Sequence, residues 1–377
     1  MHDIVIRGGT IIDGTGQPAY AGDIAVDGGR IAAVGGKAGP GRREIAADGL
    51  LVTPGWVDVH THYDGQATWD PILAPSSWHG VTTILFGNCG VGFAPVRPHH
   101  HDALIDLMEG VEDIPGAVLA EGLRWDWESF PDFLDALERM PRTIDVAAQI
   151  PHHPLRVYVM GDRAIRREAA TAADIAEMRR LTEEAVRAGA FGFTTSRTNA
   201  HKRTQGEMAP GRFAEIDELT GIGSGLGAVG AGTFGMNSDF EDEEAEFAWI
   251  TRLGKATGRP VWFLLTDRPT DPQRWRRIMA GVHMARRGCV GDSANRRVPG
   301  WRHSRHCDFA EPVRDPRALQ AVGEIGAARA ARSFARSGGA AGDPRRPPLP
   351  CPVEPAGATD PAHRHALGPH VCDGRSA

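Results

Sequence analysis

Two histidines separated by one residue are the clearest sign of chemistry in this chain. His60 and His62 lie in PGWVDVHTHYDG, directly after a short apolar run. In an extended chain, residues i and i+2 leave the same side of the backbone, so both imidazoles can approach one divalent metal ion. Neutral imidazole nitrogen is a common zinc ligand. The spacing therefore predicts a metal site at the end of this strand, where Asp58 either orients a ligand or satisfies backbone groups.

A cysteine at the end of the next apolar segment is a third candidate ligand. Cys89 lies in FGNCGVG, where the predicted strand VTTILF turns into a loop. From there a thiolate could reach the same metal ion from the neighbouring strand. A lone cysteine is more often a small buried apolar residue. Residue type alone therefore leaves both interpretations open.

Three further side chains are candidate substrate ligands. His152 and His153 in QIPHHPLR follow the third predicted strand, and they either approach the pocket or form a simple loop pair. Arg197, after GFTTS, could bind a substrate carboxylate through its bidentate fork or could be solvated. Each of the three is a hypothesis that depends on where the fold places it.

Alternating strands and helices must position these side chains. Six short apolar segments are predicted strands, at 56–60, 81–86, 144–150, 190–195, 225–232 and 259–265. Repeated strand and helix units predict a parallel sheet with helices outside it, in the α/β class. If that sheet is a barrel, the functional residues should lie at the carboxyl ends of its strands.

Two of the intervening helices have clear ends. TAADIAEMRRLTEEAVRAGA is predicted to begin after Thr171 as N-cap and to end at Gly189. DFEDEEAEFAWITRLGKATGRP is predicted to have Asp239 as N-cap and to stop at Gly258. Before these units, residues 4–52 alternate β-branched runs with Gly-rich turns, which predicts hairpins in a small antiparallel sheet.

Composition limits the classes of function. The chain has 377 residues, a hydrophobic content of 41% and a net charge of -6, which give no reason to expect nucleic acid as a partner. No apolar run approaches the roughly 20 residues of a membrane span, and the start, MHDIVIRGGTIIDG, is not a secretory signal pattern. We expect a cytoplasmic protein that acts on a small molecule, without nucleic acid or membrane partners.

The motifs quoted above resemble those of a known family. GGTIIDGTGQPAYAGDIAVDGGRIAAVG, VTPGWVDVHTHYDGQATWDP and HGVTTILFGNCGVGFAPV resemble the amidohydrolase superfamily, in particular the D-aminoacylase or N-acyl-D-amino-acid deacylase branch. The resemblance covers residues 1–286. It implies a (β/α)8 TIM-type barrel with a small β-sandwich domain, a bound zinc ion, and hydrolysis of N-acyl amino acids by metal-activated water. By this resemblance, His60 and His62 match the family's first-strand ligands and Cys89 its second-strand ligand.

The chain also departs from the family pattern. D-aminoacylases carry further histidine ligands on the fifth and sixth strands, but GAVGAGTFGMNSDF and RPVWFLLTD contain no histidine. The aspartate of the eighth strand, which serves the family as general base, is expected well beyond residue 286 and is absent. The catalytic residue is therefore unknown, and the metal shell is incomplete. The resemblance thus predicts a truncated barrel, with residues 1–53 in the sandwich part and residues 54–286 in the barrel.

Residues 287–377 have a different composition. They contain four of the five cysteines, eleven of the 27 prolines and no lysine, and their apolar periodicity fades. One codon choice for SRHCDFAEPV, read one base later, gives AGIATSLNPF, which resembles a family segment. We therefore predict an irregular or disordered tail and hypothesise a frameshift near residues 286–288. The ligand-rich stretch GWRHSRHCDFAEP would then be an out-of-frame segment and not a metal site.

Two alternatives to an active deacylase remain. The first is an inactive, truncated or frameshifted relic of such an enzyme, because a barrel without its last strands has open sheet edges and unpaired backbone groups. The second is a hydantoinase-like cyclic amidase. The lack of an obvious metal-bridging lysine on the predicted strands disfavours the second alternative.

Overall fold

The strands of this chain pair in two different ways, antiparallel and parallel near the N-terminus and parallel throughout after residue 54. The computed structural model describes residues 1–266 and 269–290. The expectations for the tail therefore lie outside the described residues from 291 onward. Within the described residues, no helix combines the length and apolarity needed to cross a membrane.

The N-terminal sheet contains five strands. They are β1 (His2–Ile11), β2 (Tyr20–Asp27), β3 (Arg30–Val34), β4 (Gly41–Ala46) and β5 (Leu51–Val52). The predicted hairpins are confirmed for β1, β2 and β3, which pair antiparallel. The prediction of a purely antiparallel sheet is wrong, because β4 and β5 pair parallel with β1.

An arginine fixes the crossover that makes this sheet mixed. The chain leaves β3 at one edge and returns as β4 on the other side of β1. Arg7 of β1 donates through Nη1 to the Ala38 carbonyl at 2.8 Å, and the same nitrogen pairs with Asp23 at 2.9 Å. The crossover is therefore bound to the sheet before β4 begins.

The second group of strands is entirely parallel. It contains β6 (Trp56–Asp58), β7 (Val81–Phe86), β8 (Asp145–Ala148), β9 (Ile150–Pro151), β10 (Gly192–Arg197), β11 (Thr233–Ser238) and β12 (Val261–Phe263). The strands form two sheets in chain order, β6-β7-β8 and β9-β10-β11-β12. The sheets meet at Gln149, whose backbone N–H donates to the Phe86 carbonyl at 3.0 Å. Five of the six predicted strands correspond to these elements.

The strand predicted at 225–232 is wrong. That segment forms the end of a helix and its C-cap, Gly230, and the strand begins at Thr233. Its glycines serve close helix packing. A Cβ on Gly221, in the same glycine-rich stretch, would lie 2.4 Å from Cγ2 of Ile175 on the neighbouring helix. Because glycine has no side chain, it lets these two helices approach each other closely.

Nine helices lie between and after the parallel strands of the described chain. They are α1 (His101–Glu112), α2 (Gly116–Gly122), α3 (Phe130–Arg139), α4 (His152–Met160), α5 (Asp162–Ile165), α6 (Ala172–Ala188), α7 (Ile216–Val229), α8 (Glu243–Thr257) and α9 (Arg274–Val290). Short 3-10 turns occur at Gln66–Thr68, Ser76–His79, Asn88–Gly90 and Pro98–His100. The mixed α/β class predicted from the sequence is confirmed.

The two predicted helix starts had different outcomes. For α6 the prediction is confirmed, because Thr171 and Asp174 form a reciprocal capping box. For α8 the N-cap is Asp242, whose side chain accepts from the Ala245 N–H at 2.9 Å, so the prediction of Asp239 is wrong. Asp239 instead accepts from Thr198 Oγ1 at 2.9 Å. Several acidic residues of this stretch could have served as the N-cap. The hydrogen bond from Thr198 engages Asp239, and Asp242 is the N-cap.

Candidate metal centre

The H-x-H segment is held against the end of the neighbouring strand. Thr61, between the two histidines, donates from its backbone N–H to the Leu85 carbonyl at 3.0 Å and from its hydroxyl to the same oxygen at 2.9 Å. Asp58 accepts from the His60 backbone N–H at 3.2 Å, so it satisfies a backbone group. The two imidazole rings lie with their centroids 5.4 Å apart.

A buried asparagine connects this segment to β7 and to the β8–β9 junction. The Asn88 side chain donates to the carbonyls of Thr61 at 3.2 Å and Leu85 at 3.0 Å, and its oxygen accepts from Gln149 at 2.9 Å. Asn88 is fully buried. Because its amide groups are satisfied by three separate segments, the residue fixes the position of Cys89, which follows it.

Cys89 lies in the short turn Asn88–Gly90 and has a positive φ of 55°. It is buried, and its Sγ lies 3.4 Å from His60 Nε2. A left-handed conformation is uncommon for a residue with a side chain and is concentrated at functional positions. The turn therefore aims the sulfur at the H-x-H segment.

The three predicted metal ligands converge. His60, His62 and Cys89 each offer a ligand atom, and these atoms lie within 4.8 Å of one another. The structure thus brings together residues that are separated by a strand and a long loop in the sequence. Two nitrogens and one sulfur form a ligand set that zinc accepts.

Two residues that sequence reasoning missed join this cluster. Glu112, the last residue of α1, lies with Oε1 3.3 Å from His62 Nε2. His201, in the loop after β10, is buried, and together with Cys89 and Glu112 it forms a second group whose ligand atoms lie within 4.8 Å. His201 Nδ1 hydrogen-bonds Ser196 Oγ at 2.8 Å, which leaves Nε2 directed toward Asn237 at 3.4 Å.

The electrostatics of the cluster suit a cation. Burial, followed by the neighbouring histidines, lowers the pKa of His62 to about 3, and burial lowers the pKa of His201 to about 4. Both are therefore neutral at neutral pH, as a metal ligand must be. Burial raises the pKa of Glu112 to about 7 and also raises the pKa of the Cys89 thiol. A divalent cation would reverse both shifts, since it favours the charged forms.

One orphaned atom supports the same conclusion. His62 Nδ1 is buried and finds no hydrogen-bond partner among the described residues. Leaving a buried polar atom unpaired costs about 1–3 kcal/mol, so such atoms in folded proteins usually have a ligand or water. The donor set and this unpaired nitrogen fit a bound divalent metal.

The predicted substrate ligand His152 is occupied by a structural network. Its Nδ1 lies 2.8 Å from Thr195 Oγ1 and its Nε2 lies 2.9 Å from Glu218 Oε1. Glu218 also accepts from Arg156 Nε at 2.8 Å. All of these groups are buried. The contacts tie α4 to α7 and to β10.

The adjacent histidine is arranged differently. His153 is fully buried, and its Nδ1 accepts from the Gly211 backbone N–H at 3.0 Å. Its Nε2 therefore carries the proton of the neutral ring, and within the described part of the chain that atom has no hydrogen-bond partner. A Cβ on Gly90 would lie 3.3 Å from this nitrogen, so His153 borders the turn that carries Cys89.

Arg197 lies at the carboxyl end of β10, as predicted. Its Nε donates to Glu246 Oε1 at 2.7 Å, and its Nη1 donates to the Ala214 carbonyl at 3.1 Å. It borders a cavity of about 160 Å³ that Arg212 also lines. The guanidinium therefore already has one carboxylate partner within the chain.

Little in the sequence could have revealed Glu112 and His201. Glu112 is one of three acids in MEGVEDIPG, at a helix end, and His201 lies in the polar loop segment SRTNAHK. Neither residue ends a strand or repeats a ligand spacing. Asn237, at the end of β11, occupies the region where a strand-end histidine was expected, and its amide lies 4.0 Å from the Cys89 sulfur.

Comparison with known proteins gives a consistent result. A sequence model of the amidohydrolase family matches residues 43–324, a range that passes the predicted boundary at 286. The N-acyl-D-aspartate deacylase of Alcaligenes xylosoxydans xylosoxydans is 41% identical over 194 residues, which cover 51% of this chain and 36% of that protein. The N-acyl-D-glutamate deacylase of the same organism is 32% identical over 262 residues, covering 68% of this chain and 48% of that protein.

Solved structures agree with these relatives. The crystal structure of a D-aminoacylase has a TM-score of 0.62 and 29% identity, covering 76% of this chain and 56% of that one. An N-acyl-D-glutamate deacylase from Bordetella bronchiseptica, complexed with zinc and a phosphonate inhibitor, has a TM-score of 0.61 and 30% identity over the same shares. The chain thus spans less than half the length of the two deacylases named above and about half of each solved structure.

Proposed function

The chain belongs to the amidohydrolase family, and from this premise we propose that it is a metal-dependent hydrolase that removes the acyl group from N-acyl-D-amino acids. The relatives that support this proposal are deacylases of N-acyl-D-aspartate and N-acyl-D-glutamate and a D-aminoacylase. The substrate would be a small molecule with an amide bond next to a carboxylate.

The strand order supports a barrel-type scaffold for this activity. Within each of the two parallel sheets the strands follow chain order, and α-helices connect most of them, as in a (β/α)8 barrel. We propose that residues 54–286 form an incomplete barrel of this type and that residues 1–53 belong to the small sandwich domain. His60, Cys89, Arg197 and Asn237 then lie at or just beyond the carboxyl ends of strands, where barrel enzymes carry their active sites.

His60, His62 and Cys89 would hold the metal ion, for which zinc is the proposed identity. One solved relative is described as complexed with zinc, and another is described as having a binuclear metal center. When bound, a divalent ion supplies Lewis acidity toward an amide carbonyl and lowers the pKa of water. Burial keeps His62 neutral and so ready to bind without first losing a proton.

The remaining residues would position the ligands and the substrate. Thr61 and Asn88 fix the backbone on both sides of the cluster, so the ligand atoms are preorganised before any ion binds. Arg197 and His153 remain candidates for contact with the substrate, whereas both ring nitrogens of His152 already have partners within the chain. A substrate carboxylate at Arg197 would share the guanidinium with Glu246. The region where the eighth-strand aspartate was expected, well beyond residue 286, lies outside the described residues.

The convergence of His60, His62 and Cys89 carries this proposal, and hydrolysis of matched enantiomers tests it. Purified chain loaded with zinc should release acetate from N-acetyl-D-amino acids and much more slowly from the L-enantiomers. His60→Asn should abolish the activity, whereas His99→Asn, at an exposed histidine, should leave it unchanged. Zinc-loaded, folded protein that hydrolyses neither enantiomer would refute the activity and favour the inactive relic expected as an alternative from the sequence.

A further inference from the structure

The N-terminal sheet has an aliphatic face that the other described residues do not bury. We propose that this face packs against the same face of a second copy of the chain, so that two copies form one β-sandwich between them. The aliphatic face consists of seven β-branched side chains on four adjacent strands, namely Ile4, Ile6, Ile24, Val26, Ile31, Val34 and Ile45. The proposal concerns assembly and does not depend on the proposed hydrolysis.

Strand register places these side chains on one side of the sheet. Paired residues of adjacent strands point to the same face, and so do residues i and i+2 of one strand. Ile4 and Ile6 share a face of β1, and Ile6 pairs with Ile24 of β2 and with Ile45 of β4. Strand β3 extends the row, because its Val34 pairs with Ile24. The result is a continuous aliphatic surface across four strands.

The two faces of this sheet differ in burial. On the opposite face, Val5 is fully buried, and Arg7 donates to two carbonyls of the crossover between β3 and β4. The crossover therefore covers that face. On the aliphatic face, the isoleucines of β1 are only partly buried, and Ile31 and Val34 are 67% and 46% exposed. Strands that are apolar on both sides are typical of sheets covered on both sides.

A second copy is the layer that the sequence itself can supply. A sheet with an apolar face needs another layer against it, and the exposure of this face shows that no described segment forms one. Residues 291–377 contain one isoleucine and five valines, whereas residues 1–53 contain seven isoleucines and four valines. The composition of 291–377 therefore does not predict further strands of this kind.

The chemistry of the face favours an identical partner. Its register includes one charged position, Arg43, which pairs with Ile4 from the edge strand β4. The centre of the face is uncharged, so it matches only a surface that is equally apolar. A two-fold axis would bury both aliphatic faces at once and would close the assembly at two copies. The two sheets would then pack about 10 Å apart, as in other sandwiches.

The size of the face predicts the strength of the dimer. Four strands spaced about 4.8 Å apart, with about five residues each at about 3.3 Å per residue, give a face of roughly 300 Å². An exposed apolar patch of this size marks an interaction site. Stable dimers bury about 800 Å² on each partner, so we expect a dimer that dissociates in the micromolar range.

Sedimentation velocity of the full chain tests the proposal. The wild type should pass from monomer to dimer between about 1 and about 200 μM and should grow no further. Ile31→Lys and Val34→Lys should each raise the Kd at least about tenfold, because an ammonium group would lie between the sheets. Ala33→Lys is the matched control and should leave the Kd unchanged, since this exposed residue of β3 pairs with Ala25 on the opposite face.

Three results would overturn the proposal: a wild type that stays monomeric, growth beyond the dimer, or equal effects of Ala33→Lys and Val34→Lys. Carbene footprinting of the wild type at both ends of the concentration range needs no variant. Labelling of β3 should fall as the dimer forms, whereas labelling of Phe213, an exposed residue between β10 and α7, should not change. Unchanged labelling of β3 in a dimer would place the interface elsewhere and refute the proposal. None of these measurements involves hydrolysis, so they leave the proposed function to its own test.

Discussion

Replacing Glu218 by glutamine should destabilise the protein more than any surface substitution of the same kind. Glu218 and Arg156 are each only 2% exposed, and Glu218 accepts from Arg156 Nε at 2.8 Å and from His152 Nε2 at 2.9 Å. The substitution keeps the shape of the side chain and removes its charge. The Arg156 guanidinium would then stay buried with neutral acceptors only, the carbonyls of Pro210 and Glu168 and the amide oxygen of the new glutamine.

The size of the effect follows from this uncompensated charge. Breaking a buried ion pair by removing one partner costs about 3–5 kcal/mol. We expect the lower end, about 3 kcal/mol, because the glutamine oxygen can still accept one hydrogen bond. Replacing both residues, as in Arg156→Met with Glu218→Leu, should cost less than Glu218→Gln alone, because no buried charge then remains without a partner.

Urea denaturation followed by tryptophan fluorescence would measure these differences. Glu215→Gln is the matched control, since Glu215 is exposed and directly precedes the same helix, α7. It should change the free energy of unfolding by less than about 1 kcal/mol. If the free energies of unfolding of Glu218→Gln and Glu215→Gln differ by less than about 1 kcal/mol, the buried pair does not stabilise the fold as argued.

The Glu218–Arg156 pair should also make the stability difference between the wild type and Glu218→Gln depend on pH. Burial alone would raise the pKa of Glu218, but the hydrogen bonds and charges of His152 and Arg156 outweigh it and lower that pKa below its ordinary value. The pair therefore stabilises the fold fully above the ordinary glutamate pKa, and this stabilisation is lost as the pH falls through the lower, folded-state value. The difference in free energy of unfolding between the wild type and Glu218→Gln should thus become smaller in acid.

Three further outcomes are expected. Thr171→Ala removes the N-cap of α6 and should lower the free energy of unfolding by about 1 kcal/mol, measured by urea denaturation, and an unchanged midpoint would contradict the capping box. Gly221→Ala should lower the free energy of unfolding by about 1–3 kcal/mol, because the new methyl group would crowd Ile175. Gly254→Ala should leave it unchanged or raise it, because the nearest atom to the new methyl group is 3.7 Å away. Equal effects of the two substitutions would refute the packing argument. Removal of zinc by a chelator should lower the melting temperature, and it should not do so in Cys89→Ser, since a ligand that binds only the folded state stabilises it.

Local sequence patterns were sufficient for much of the fold. Interactions between neighbouring residues determine the strand and helix periodicities and the Thr171 capping box, so these could be predicted without the structure, as could five of the six segments predicted as strands. The prediction of a strand at 225–232 was wrong because glycine occurs in strands and also where helices pack closely. Only the position of the neighbouring helix showed that the second case applies here. The assignment of Asp239 as N-cap failed because Thr198, from a distant loop, hydrogen-bonds that carboxylate.

The candidate site also contains residues that the sequence predicts and residues that only the structure places there. His60, His62 and Cys89 were predictable because the carboxyl ends of adjacent parallel strands meet at one edge, and each residue follows such a strand. Glu112 and His201 lie at a helix end and in a loop, where chain direction does not determine what a side chain faces. Their approach to Cys89 depends on the packing of α1 against the loop after β10, a contact between segments distant in the sequence. The sequence by itself therefore determined the family and the first three candidate ligands, and the tertiary structure alone decided which other groups surround them.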